Sequence, residues 1–287
     1  SDLCENIWVG EDHLWQVANI RKSQILKLRD AGISTLTDLA VAGDSLKIPK
    51  LAPDTFHKLK KQASLQKHKQ TTGENLYHLL PTEQGRGFCR LPRPDSGDLF
   101  FDMEGDPLYP EGLEYLFGVF HRTEGEKFLA FWGHDHDEEK KAFEDTMAFF
   151  VSHLEKHPGA HIYHYNHYEE TALKRLSCRY ATCEDEVDFL LRHGRLVDLY
   201  KVVREGLMVS EPGYSIKNLE TFYMQKRSGD VKNAAQSIVV YEQWRRLRDP
   251  AMLKEIEDYN FDDCRSTALC LDWLLSIRPA GASWYVK

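Results

Sequence analysis

Several things are scarce or absent in this chain. No run of about 18 apolar residues exists, which excludes a membrane-spanning helix. The opening Ser1-Asp2-Leu3-Cys4-Glu5-Asn6 has no basic segment leading into an apolar stretch, so no secretory signal is expected. Cysteine is sparse: six in 287 residues, with no C-x-x-C pair. That argues against a disulfide framework and a cysteine zinc site, and predicts a reduced, cytoplasmic protein. Cys178 and Cys183, five apart on one expected helix, read as buried thiols. No internal repeat or low-complexity tract is visible. Positive charge is also short: 37 Lys and Arg face 45 Asp and Glu, a net -8. Taken whole, that acidity speaks against a nucleic-acid partner, because phosphate binding needs Lys and Arg.

The charge is not evenly spread. Residues 19–69 hold eleven Lys and Arg against four Asp, a net +7, whereas residues 95–287 hold 23 against 35, a net -12. A basic block joined to an acidic one predicts two domains with different electrostatic tasks. The first is a small all-α domain over 1–70. Val17, Ile20, Ile25 and Leu28 are apolar at helical spacing up to Gly32, and Thr35 or Thr37 caps a second short helix. A basic helix then starts at Asp54 or Thr55 and covers Phe56 to Gln66. Residues 71–97, punctuated by Gly73, Gly85, Gly87, Pro92 and Pro94 without a sustained period, read as a linker.

From 98 to 287 the pattern is α/β. Leu99–Glu104, Tyr115–Phe120 and Lys127–Trp132 are aromatic-rich runs that predict a strand meander. A helix is expected over 137–156, a fourth strand at Ile162–Tyr165, a helix over 168–181, a fifth strand at Arg195–Leu199 and a long final helix over 250–276.

Three places carry chemistry. Asp102 and Glu104, two apart on a strand, share a face, while Met103 points into the opposite layer. Two adjacent carboxylates repel unless a cation lies between them, and all-oxygen donors favour Mg²⁺ or Mn²⁺ over zinc. Tyr259 and Asp263 are spaced i, i+4 and share a helix face, where they can supply a ligand and a hydroxyl that orients water. Tyr165-Asn166-His167-Tyr168-Glu169 follows the fourth strand, at the carboxyl end where open α/β sheets collect ligands. The plain alternatives are solvated strand-end acids and a Tyr packed on the core.

In this order, D-x-E, N-x-Y-E and Y-x-x-x-D resemble the DEDD exonuclease superfamily. F-D-M-E-G-D-P, Y-N-x-Y-E and Y-N-x-x-D-C resemble more narrowly the YprB-type ribonuclease H-like domain, often joined to RecB-like nuclease and helicase modules. The likeness covers roughly residues 98–276. It implies a ribonuclease H-like mixed five-stranded sheet flanked by helices. It also implies two-ion phosphodiester hydrolysis, with Mg²⁺ or Mn²⁺ ions about 3.5–4 Å apart, by a 3′→5′ exonuclease on single-stranded DNA, with RNA an alternative substrate. Asp102 would bridge the ions, Glu104 and Asp263 would complete the sites, and Tyr259 would orient or deprotonate the water. Position 258 is Asp, which makes this the tyrosine rather than the histidine subtype. Glu169 would be a further catalytic metal ligand, standing where the family usually has Asp. Asn166, Met103 and Lys217 complete the candidate set as substrate-binding residues. Asp198 reads as a structural strand-end residue rather than a ligand. A non-catalytic nucleic-acid-binding or docking module of a helicase–nuclease protein, and a nucleotide phosphoesterase, stay open as alternatives.

Outside that domain, Leu28–Leu36 and Ile48-Pro49-Lys50-Leu51 resemble helix-hairpin-helix repeats, which implies phosphate contacts at Gly32, Lys50, Lys58, Lys60 and Lys61. Cys4-x-x-x-Trp8 with Asp12-His13-Leu14 resembles the tail of a RecB-like nuclease, which predicts that the chain is a piece of a longer protein. His134-Asp135-His136-Asp137 has the residue types of a metal cluster, but a helix start there needs a cap, and Asp137 is assigned that role.

Overall fold

In the computed structural model the described residues are 8–225, 227 and 233–286. Cys4 lies outside them. In chain order the elements are α1 (Lys22–Asp30), α2 (Leu36–Val41), α3 (Pro53–Thr72), β1 (Tyr77–Leu79), β2 (Leu99–Asp106), β3 (Leu113–His121), β4 (Lys127–Trp132), α4 (His136–Lys156), β5 (Ile162–His164), α5 (Tyr168–Tyr180), α6 (Glu184–Arg192), β6 (Leu196–Asp198), α7 (Leu199–Gly206), β7 (Leu207–Val209), α8 (Ile216–Leu219), α9 (Ala234–Leu247) and α10 (Pro250–Ser276). The chain divides into two compact units, Ser1–Pro81 with Val203–Phe222 and Thr82–Val202 with Tyr223–Lys287. Among the described residues no helix is long and apolar enough to cross a membrane.

The first unit packs α1, α2 and α3 around Leu14, Val17, Ile25, Leu28, Leu36, Leu39, Phe56 and Leu59. Helix α3 begins at Pro53, whose fixed φ and missing N–H suit a first helical position, one or two residues ahead of the expected start. It runs on to Thr72 and closes on Gly73 in the left-handed region, at φ +76°. The stretch read as linker holds a strand: β1 pairs antiparallel with β7, Tyr77 opposite Val209 and Leu79 opposite Leu207. Three residues are too few to show a period. Buried Gln62 ties the segment to α3, donating to the Val209 carbonyl at 2.9 Å and accepting from the Tyr214 hydroxyl at 2.7 Å.

The second unit is α/β, with a mixed sheet in the order β4-β3-β2-β5-β6. The β2, β3 and β4 strands form the antiparallel meander, and β5 and β6 join parallel. On one face Leu99, Phe101 and Met103 meet Phe143, Met147 and Phe150 of α4, Leu173 and Leu176 of α5, and Leu190 of α6. Phe101 and Phe150 sit edge to face at 5.2 Å, a geometry that adds to area burial. Helix α10 covers the other face, where Phe261 meets the rings of Phe120 and Phe128 at 5.8 and 5.5 Å. Covered on both sides, all nine residues of β3 are buried. Helix α4 is capped by Asp135, whose carboxylate accepts from the Glu138 amide at 2.9 Å, so the cap is not Asp137, which lies in the first turn. Both acids suit a helix start electrostatically; extended backbone at Asp135 decides which one caps. Cys178 lies exposed on α5, and Cys183 is half-buried beyond the end of that helix at Tyr180, so the two do not share one helix.

The entry to β2 carries two oppositely shifted groups. Asp98 accepts from the amides of Asp95 and His161, both at 2.9 Å, yet burial pushes its carboxyl up to about 7. Burial and the nearby Arg195 push the His161 imidazole down to about 4. Asp98 therefore contributes stability that is complete below pH 3.8 and lost as pH rises through 7, whereas the contribution of His161 is complete above pH 6.5 and lost as pH falls through 4. Between pH 4 and 6.5 the two slopes oppose each other. Melting temperatures measured across pH 4–8 should show D98N gaining on the wild type as pH rises, and H161Q losing ground as pH rises. Parallel curves for either variant would refute its assignment.

Candidate metal centre

Strand β2 delivers Asp102 and Glu104 to the face under α10 because side chains alternate along a strand. Met103 alternates the other way, and the structure puts it in the hydrophobic core rather than beside the carboxylates. From α10 comes Asp263. One oxygen each of Asp102, Glu104 and Asp263 lies within 4.8 Å of the others. Glu104 is buried and the other two are half-buried. Carboxylates at this spacing raise one another's charging cost unless a cation or a positive side chain answers them.

Two answering groups surround the cluster. Asn260, fully buried on α10, donates from Nδ2 to Asp102 Oδ2 at 2.7 Å and fixes that carboxylate. The Arg227 guanidinium stands 2.6 Å from Asp263 Oδ1 and 5.9 Å from the Tyr259 ring centre. Sequence reading assigned neither a role. Asn260 was within reach: it lies in the Tyr259–Asp263 run, three residues before Asp263, a polar group on an inward helix face. Arg227 carries no local signal. Tyr259 is buried beside the acids. Burial, then the charges of Asp263, Glu104 and Asp102, and a hydrogen bond to Asp263 hold its phenol well above the ordinary range. It therefore keeps its proton and donates.

Glu169 is placed differently. It sits in the first turn of α5, buried, with Oε2 3.3 Å from His164 Nδ1, and is outside the three-carboxylate group. Burial pushes the His164 imidazole down, but the hydrogen bond and charge of Glu169, the charge of Asp198 and the Asn166 carbonyl outweigh it and raise the ring. Asn166, at φ +87°, turns its side-chain oxygen back to the His167 amide at 2.8 Å. Asp198 accepts from the amides of Asn166 and Tyr200, both at 2.9 Å, which is strand-end work. Lys217 lies on α8 in the first unit.

In that first unit the hairpin between α1 and α2 turns at Gly32, φ +84°. The amides of Gly32 and Ile33 donate to the Arg29 and Leu28 carbonyls, and those of Ser34 and Thr35 to Asp38. Lys50, Lys58 and Lys61 are exposed, and Lys60 is paired with Asp44. His134 packs 4.2 Å from Trp244 and His136 meets Glu139 and the Pro110 carbonyl, so these histidines are occupied in packing and turns.

The sheet order, the β2 acid pair and the α10 acid agree with one comparison. Residues 99–275 match a family described as the RNase_H superfamily. The chain belongs to the RNase H superfamily. No curated protein and no solved structure matches it. RNase H-like nucleases use divalent metal ions on nucleic-acid substrates, and the Asp102, Glu104 and Asp263 group fits that chemistry. The donors are all carboxylate oxygens, which suit a hard cation such as Mg²⁺ or Mn²⁺.

Proposed function

We propose that the chain is a 3′→5′ exonuclease on single-stranded DNA, of the DEDD type with tyrosine and of the YprB-type branch. The observation that carries this reading is the meeting of Asp102, Glu104 and Asp263 within 4.8 Å, with the Tyr259 hydroxyl on the same helix as Asp263. These three side chains would hold Mg²⁺ or Mn²⁺, and the resemblance adds Glu169 for a second ion. A bound divalent ion supplies charge neutralisation at the phosphate and eases deprotonation of water. The chain's own groups do the positioning. Asn260 holds Asp102 in one rotamer through its amide. Tyr259, its phenol bonded to Asp263, would orient or deprotonate the attacking water.

A second reading, a non-catalytic nucleic-acid-binding or docking module, is favoured by the position of Glu169, which is engaged with His164 instead of the cluster. A panel of single and double strands labelled at either end, incubated with Mg²⁺ or Mn²⁺, separates the two. Mononucleotides released first from the 3′ end of single strands are the expected products. No cleavage of any DNA or RNA, together with metal-dependent thermal stabilisation, would establish the module instead. In the active case Y259F should lower kcat about 10²-fold with KM nearly unchanged, since the hydroxyl acts on water and not on binding.

A further inference from the structure

The first unit holds a cavity of about 1020 Å³ that the nuclease reading leaves unused. It is lined by Trp8 and Trp15, by Lys67 and Lys69 of α3, and by the Ser210–Gly213 turn. The two indole centres lie 6.0 Å apart at 30°, and Trp15 is 38% exposed although Trp is a costly residue to leave in water. At the upper end of ligand-pocket size, the volume exceeds what one small molecule needs. Two acids also line it, and both are engaged within the protein. Asp12 accepts from the Thr37 amide at 3.0 Å, and Glu211 is ion-paired with Lys69 and accepts from the Thr221 hydroxyl at 2.7 Å. Of the lining, Gln66, Lys67 and Lys69 belong to the basic stretch of residues 19–69.

We infer that this cavity is a binding site for single-stranded DNA, with Trp15 and Trp8 stacking on bases and Lys67 meeting the backbone. Flat aromatic surfaces beside lysines are what sequence-tolerant strand binding requires, because every base has a π-face and every phosphate a charge. An apolar peptide would use the indoles but not the lysines, and a mononucleotide would leave most of the volume empty. The inference rests on the reading of the chain as a nuclease of single strands, yet it concerns binding alone and is separable from cleavage.

The test uses the full chain in EDTA, so that nothing is cut, with oligo-dT as the probe and tryptophan fluorescence and anisotropy as readouts. Saturating oligo-dT should quench indole emission, and W15A should weaken binding about 10- to 100-fold while W15F restores most of it. K67A should flatten the slope of log Kd against log salt by about 0.7, one single-strand phosphate contact. Trp15 is partly exposed, so W15A should keep the wild-type melting temperature. Oligo-dT bound equally by W15A and wild type, or with no change in emission, overturns the site. Preference for an oligo-U strand over oligo-dT overturns the choice of DNA. If Trp15-dependent binding persists while the wild type cuts no strand with Mn²⁺, the nuclease reading fails and the site stands.

Discussion

D102N is expected to abolish Mn²⁺-dependent cleavage, by at least about 10³-fold, while leaving the fold intact. Asp102 is held by Asn260 Nδ2 at 2.7 Å, with oxygens of Glu104 and Asp263 within 4.8 Å. Loss of its charge removes several kcal/mol of transition-state stabilisation that a properly held cation would bring, and about 4 kcal/mol corresponds to that factor. An Asn side chain keeps an oxygen for Asn260, so no buried donor is orphaned; D102A would leave the Asn260 amide unpaired at about 1–3 kcal/mol. Without metal, D102N should melt no lower than the wild type, because one of three mutually repelling charges is gone. The wild type alone should gain melting temperature on Mn²⁺ titration, as any ligand that binds only the native state requires. The same pair of measurements on D263N checks the second element of the site, with Arg227 then losing its partner. Full cleavage by either variant would move the centre elsewhere.

What could be read beforehand depended on how local the determining physics is. The Asp102–Glu104 pair was legible because strand alternation alone puts both on one face, and Tyr259 with Asp263 because helical spacing does the same. The meander and α10 were legible from period and turns, and α10 was expected over the residues it occupies. The pairing of β1 with β7 was not, since it joins three-residue strands about 130 positions apart through backbone bonds that leave no side-chain pattern. Nor was the contact of Glu169 with His164: its place after β5 was visible, but which neighbour it meets is set by where β5 ends and which way the first turn of α5 faces. Asp135 took the cap from Asp137 for a similar reason, backbone angle rather than residue type. Net charge misled as a whole-chain number: the -12 of residues 95–287 includes the three clustered carboxylates, and a bound divalent cation would cancel much of the local negative charge that a phosphate meets.

Gly118 joins the fold to the site, and G118A should damage both. It lies on β3 directly opposite Asp102 on β2 and beneath α10. A methyl group there would stand 1.7 Å from Asn260 Oδ1, 2.9 Å from its Cγ and 3.0 Å from the Phe128 ring. Close approach of another element, and not unusual backbone angles, is what the position demands of glycine. Asn260 is fully buried and its short side chain cannot swing to solvent, so relief means either rotating it off Asp102 or lifting α10. Lifting α10 would also stretch the contact from Cys264 Sγ to the Gly118 carbonyl, now 3.3 Å. Overpacking and a lost buried hydrogen bond together cost about 2–4 kcal/mol, a fall of roughly 5–15 °C in melting temperature for a unit of this size. A displacement of about 1 Å at Asp102 should lower kcat about 10²-fold. The decisive comparison is the double variant. N260A removes the obstacle, so G118A/N260A should melt higher than G118A alone, a coupling that only contacting residues show. Its kcat should stay low, because the amide that orients Asp102 is still missing. Strictly additive losses in stability would mean that Gly118 and Asn260 do not share that space.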